Sequence, residues 1–212
     1  MNFFGHATVA AWAPGATPAF VLGAMLPDFQ TISGARSARP THPETSRGVL
    51  LHLATDEVFH AAPDFLALTS LVREQLQRGG VAHGGARAAA HVGVELLLDG
   101  TLVVDDRAGD LYARALRDAG SHVDCADLDD VPRLARFLGR VRGADIPRAY
   151  ADPRGVAARV ERALSSRPRL ALQDQDADVL ASVLADVAAD VRGRAGSLLA
   201  DVRRGLSASH PS

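Results

Sequence analysis

The 212-residue chain contains no lysine: all 23 of its basic residues are arginine. With the abundance of Ala, Gly and Val, that bias reads as codon usage from a GC-rich genome. Its chemical consequence is that any basic contact must be made by a planar guanidinium, which suits bidentate grip on phosphate. Cysteine is nearly absent as well. The one cysteine, Cys125, excludes an internal disulfide and a thiolate metal cluster, and it fits a reducing compartment, the cytoplasm by default. Aromatic residues make up only 5% of the chain, so aliphatic side chains and alanine must supply most of the core. Charge of one sign is lacking too. A formal net charge of −2 gives no general reason to expect nucleic-acid binding, although local basic patches remain open. No apolar run reaches the length of a membrane span, and the beginning of the chain lacks the basic start of a signal peptide.

What is present is helical. Apolar residues recur at helix spacing, nothing reads as a sheet, and no linker divides the chain. The expectation is an all-α, single-domain bundle of about eight helices over residues 1–206, with a frayed tail at 207–212. Its most informative stretch is residues 51–65, LHLATDEVFHAAPDF. There His52, Asp56 and His60 stand four residues apart in an apolar helix-forming run. Each step of four turns about 40° and climbs about 6 Å, so neighbours in the series share one helix face. His52 with Asp56, or Asp56 with His60, can hold one ion, whereas the outer pair is about 12 Å apart. A second ladder, His91, Glu95 and Asp99, repeats the spacing in AAAHVGVELLLDGTLVV. Two apolar helices each carrying a polar ladder suggest a site between them.

Elsewhere the signals are mostly structural. Residues 3–13 read as a short helix bearing His6, ended by Pro14 and Gly15. Thr17 and Pro18 open a second helix that runs to Pro27, placing Asp28 on the following turn as either a cap or a metal ligand. Residues 30–47 show no period and read as a loop of roughly eighteen residues, in which Arg36 and Arg39 are candidate phosphate contacts. Amphipathic helices follow Pro63, Asp106 and Asp152, and Asp130 reads as the N-cap of another. The last helix starts near Asp176, with Gly193 and Gly196 as a bend.

Buried His, Asp and Glu must be neutral, paired or metal-bound, because a lone desolvated charge costs several kcal/mol. A metal site with imidazole and carboxylate ligands would satisfy the ladders and generate hydroxide for attack on a phosphodiester. A ligand left off the metal, such as His60, His91 or Glu95, would serve as catalytic base. The alternative is a non-catalytic helical protein whose histidines and carboxylates form a buried hydrogen-bond network.

The start MNFFGH, the segment GAMLPDF, the run GVLLHLATDEVFHAAPDF and the downstream ALSSRPRLAL together resemble the bacterial acyl carrier protein phosphodiesterases (acyl carrier protein hydrolases). Those proteins are helical relatives of the HD-type metal phosphohydrolases. The resemblance implies an HD-like fold and a divalent metal, manganese first with iron or zinc as alternatives. It also implies release of 4′-phosphopantetheine from holo acyl carrier protein. On this resemblance His6, Asp28, His52 and Asp56 would form the metal centre. Over residues 91–99 the family has a Trp-Asp-His-Phe type sequence where this chain has Val94, Glu95, Leu96 and Leu97. That departure opens a second reading, a metal-dependent phosphohydrolase of a smaller phosphorylated substrate. GAMLPDF also gives a looser likeness to zinc-dependent phospholipase C proteins.

Overall fold

The structure is a computed structural model and describes residues 1–103, 105–143 and 146–209. It is all-α, as the periodicity predicts. In chain order the elements are α1 (Phe3–Ala11), α2 (Pro18–Ser33), β1 (Ala38–Pro40), α3 (Pro43–Ala61), α4 (Pro63–Arg78) and α5 (His83–Leu102). They continue as α6 (Asp106–His122), β2 (Val123–Cys125), α7 (Asp130–Gly143), the single-turn α8 (Ile146–Ala149), α9 (Pro153–Ser165) and α10 (Asp176–Ser209). The chain groups into two compact units. The first is Met1–Glu57 with Leu102–Ile146, the second Val58–Thr101 with Pro147–Ser212. The chain thus leaves the first unit within α3 and returns to it at the end of α5. No helix of the described residues is long and apolar enough to cross a membrane.

In the first unit α1 is the innermost element. It is apolar on every side and all nine of its residues are buried, which is what a helix without a polar face must do. It lies against α2 and α6. Phe3 packs edge-on to Phe29 at 5.7 Å and stacks on Tyr112 at 6.3 Å, while Phe29 meets Phe137 of α7 at 5.1 Å. The Thr17 hydroxyl caps α2 by accepting the Phe20 N–H.

The structure corrects the sequence reading at several places here. Pro27 does not end α2, which continues to Ser33 and stops at Gly34 in the left-handed conformation (φ 76°). Leu26 and Phe29 are both buried, and that burial offsets the one backbone hydrogen bond a proline removes. Asp28 therefore sits within a helix and not on a turn. The expected loop at 30–47 is also mostly ordered. It holds the end of α2, the short strand β1 and the start of α3, and β1 pairs antiparallel with β2, Arg39 opposite Asp124. Three-residue strands are too short to show an alternating pattern. Asp130 is not the N-cap of α7 but its first residue. Its carboxylate accepts the Ser37 N–H at 2.8 Å and an Arg133 N–H at 2.8 Å, which pins the segment before β1.

The crossing of α2 and α3 depends on two glycines. A Cβ added at Gly48 would lie 2.8 Å from the Gly23 Cα and 2.7 Å from the Ala24 nitrogen, closer than real Cβ atoms come. Only hydrogen at both positions lets the two backbones approach this far. The buried face of α3 is accordingly small and polar: Thr45, Gly48, His52 and Thr55, then Phe59. Leu50 and Leu53 point outward, 66% and 58% exposed.

In the second unit α10 packs against α4 and α9. Phe65, Leu68, Val72 and Leu76 form the buried stripe of α4. Asp152 caps α9 by accepting the Arg154 N–H. α10 is one helix through Gly193 and Gly196, and it takes in residues 207–209 of the expected frayed tail. Residues 210–212 of that tail lie outside the described residues.

Candidate metal centre

Two groups of side chains, one in each unit, bring metal-binding atoms together. In the first unit His6 comes from α1, and His52 and Asp56 come from successive turns of α3. One ligand atom of each lies within 4.8 Å of the others. His6 Nε2 is 3.2 Å from Asp56 Oδ1, and His52 Nε2 is 3.4 Å from Asp56 Oδ2. The two imidazoles stack with ring centroids 3.8 Å apart. Ligands about 2.1 Å from a shared ion stand roughly 2.9–3.4 Å apart at octahedral or tetrahedral angles. The two nitrogen-to-oxygen separations fall in that range.

The hydrogen bonding fixes which atoms are available. His52 Nδ1 lies 2.8 Å from the Ala24 carbonyl oxygen. A carbonyl can only accept, so Nδ1 carries the hydrogen and Nε2 turns its lone pair toward Asp56 when the ring is neutral. This is the arrangement that orients a ligating histidine. His6 is different. It is 1% exposed, and neither ring nitrogen makes a hydrogen bond of good geometry, although Nε2 stands close to Asp56. Leaving such a group unsatisfied costs about 1–3 kcal/mol, a cost that coordination would offset.

The charges of the cluster centre on Asp56. Burial, the largest cause, pushes His6 down to about 4, so its ring is neutral near pH 7. Burial would also lower His52, but its bond to Asp56 and the charges of Asp28 and Asp56 outweigh it and leave the ring raised. Burial alone would raise Asp56; the close His52 and His6 imidazoles and the Met1 ammonium together outweigh it and hold its carboxyl well below the usual carboxylate range. The Met1 amino group also donates to Asp56 Oδ1 at 2.9 Å. Asp28, expected as a fourth ligand, lies outside the 4.8 Å group, but its charge acts on His52.

In the second unit His60 from the end of α3 meets His91 and Glu95 of α5, again with one atom of each within 4.8 Å of the others. Glu95 Oε1 is 3.1 Å from His60 Nε2 and 3.1 Å from His91 Nε2. Burial would raise the Glu95 carboxyl, yet it is held well below its usual range, with the two histidines among the causes. The three residues expected to act in catalysis are therefore assembled with one another. Asp99, the last rung of that ladder, is fully buried and does not join them. Its charge acts on Tyr150, whose hydroxyl is pushed up to about 12, chiefly by burial, with Asp99 adding to the effect.

Of the candidate phosphate contacts, Arg36 is exposed. Arg39 donates to the Arg36 and Ala38 carbonyl oxygens, which ties its guanidinium to its own turn. Spacing could not join His6 to His52 and Asp56, since 45 residues intervene between the two histidines; its one signal was a lone histidine in a helix with no polar face. The Ala24 carbonyl that orients His52 left no sequence signal. No family model, curated protein or solved structure matches the chain.

Proposed function

We propose that the protein is a metal-dependent phosphodiesterase whose ion is held by His6, His52 and Asp56. The observation that carries this reading is His6, fully buried on an apolar helix with both ring nitrogens unsatisfied and one aimed at a carboxylate that His52 also faces. A divalent ion bound there supplies Lewis acidity and lowers the pKa of bound water toward neutrality, the chemistry that phosphodiester hydrolysis requires. The chain's own part is to preorganise the donors. α1 presents a neutral His6, the Ala24 carbonyl fixes the rotation of His52, and Asp56 supplies the negative charge. Imidazole and carboxylate together suit manganese, iron or zinc.

The substrate of this reading is the phosphodiester joining 4′-phosphopantetheine to acyl carrier protein, and it rests on the resemblance of MNFFGH, GAMLPDF and GVLLHLATDEVFHAAPDF. A reducing compartment, the cytoplasm, goes with it, supported by the lone cysteine. The test is the metal content of protein purified without chelator, wild type against Asp56→Asn, followed by assay of phosphopantetheine release and of a panel of smaller phosphodiesters. The variant should lose one equivalent of metal and all hydrolysis. Equal metal in both proteins, or none in either after incubation with manganese, would instead identify the cluster as a hydrogen-bond network of the core.

A further inference from the structure

We infer that His60, His91 and Glu95 form a second divalent transition-metal site, contained within the second unit and sharing no residue with the first cluster. Three independent features support it. The first is convergence: two imidazole Nε2 atoms, from different helices, each stand 3.1 Å from the same carboxylate oxygen, Glu95 Oε1. That separation lies within the roughly 2.9–3.4 Å expected between neighbouring ligands of one ion. The second is rigidity. His91 and Glu95 are one turn apart on α5, so the helix fixes their spacing before any ion arrives. The third is the wall behind the rings. Phe65 lies 5.4 Å from the His60 ring and 5.2 Å from that of His91, perpendicular to the latter, and Phe59 lies 5.3 Å from His60. Both phenylalanines are buried, so the imidazoles are held against a fixed apolar surface.

The other side is open. The His60 and His91 side chains are 35% and 45% exposed, whereas Glu95 is 12% exposed. Two exposed histidines over a mostly buried carboxylate leave coordination positions for water or an exchangeable ligand, unlike the closed four-ligand shell of a structural zinc. Borderline divalent ions such as Zn²⁺, Co²⁺ or Fe²⁺ fit this donor set better than Mg²⁺ or Ca²⁺, which prefer oxygen.

The test is titration of metal-free protein with Co²⁺, read by visible d–d absorption and by equilibrium stoichiometry. Wild type should take up two equivalents. His91→Gln and Glu95→Gln should each take up one while keeping the helical circular dichroism of wild type, and Asp56→Asn should keep the equivalent that those two lose. His91 is half exposed, so its replacement leaves folding intact. Two equivalents bound by both His91→Gln and Glu95→Gln would overturn the second site, whatever Asp56→Asn does. So would a single equivalent in wild type that survives both substitutions. A single equivalent in wild type that Asp56→Asn keeps and both His91→Gln and Glu95→Gln lose would count against the first centre and leave this one standing.

Discussion

Gly48→Ala tests the link between helix packing and the metal centre. The added Cβ would stand 2.7 Å from the Ala24 nitrogen and 2.8 Å from the Gly23 Cα, with the Phe20 carbonyl oxygen closer still. All three are backbone atoms, so no side chain can swing aside. Reaching an ordinary contact of 3.4 Å requires α2 and α3 to separate by about 1 Å. The His52 Nδ1–Ala24 carbonyl bond, now 2.8 Å, spans the same crossing and would stretch past hydrogen-bond range. Overpacking of this kind costs about 1–3 kcal/mol of stability, and loss of an orienting bond to a ligand weakens metal affinity about 10–100-fold. Urea unfolding of the metal-free protein measures the first effect and a manganese titration the second. Gly193→Ala is the control: a Cβ there meets nothing within 4 Å, and replacing an exposed glycine inside α10 should stabilise by about 0.5–1 kcal/mol. If Gly48→Ala unfolds at the wild-type urea concentration and binds manganese as tightly, the glycine crossing does not position His52.

Tyr150 gives a pH dependence with a definite sign. Its hydroxyl ionises near pH 10 in the unfolded chain and is pushed up to about 12 in the folded one, so the folded state favours the neutral form. Its contribution is full below pH 10 and is lost as pH rises toward 12, by up to about 3 kcal/mol. Stability measured by urea unfolding between pH 10 and 12 should fall less steeply in Tyr150→Phe than in wild type; parallel slopes would contradict the assignment. Thr17→Ala removes the acceptor for the Phe20 N–H and should cost about 1 kcal/mol by the same assay, with metal stoichiometry unchanged.

The helices were legible where an apolar stripe met a capping residue or a first-turn proline, as at Thr17–Pro18, Pro63 and Asp152. The sequence misled where tertiary burial overrode a local stop signal. Pro27 breaks a helix in isolation, but the neighbouring Leu26 and Phe29 bury enough apolar surface to carry α2 onward. Along α3 apolarity does not mark the interior: Leu50 and Leu53 are exposed, and the interior is lined by Thr45, Gly48, His52 and Thr55. The site was legible in the same partial way. His52 and Asp56 share a face by spacing alone, and the reach of a helix turn already separates His60 from His52. Which distant residue completes each group is a matter of packing, and neither the arrival of His6 through α1 nor the exclusion of Asp99 from the second group is encoded in local spacing.

Exposure and ligand number together constrain how the first centre can work. His6 and His52 are 1% and 4% exposed, so neither histidine offers a route from solvent. The Asp56 side chain is 30% exposed, and it forms the accessible edge of the cluster. In the proposed centre, a ligand from solvent would therefore arrive over Asp56. Asp28 decides the rest. With three ligands drawn from α1 and α3, an ion keeps open positions at that edge, as a catalytic centre requires; with Asp28 as a fourth, the shell would close in the manner of a structural site. Asp28 stands outside the ligand group while its charge still acts on His52. In the proposed centre its negative charge would add to the attraction for an ion held by the other three.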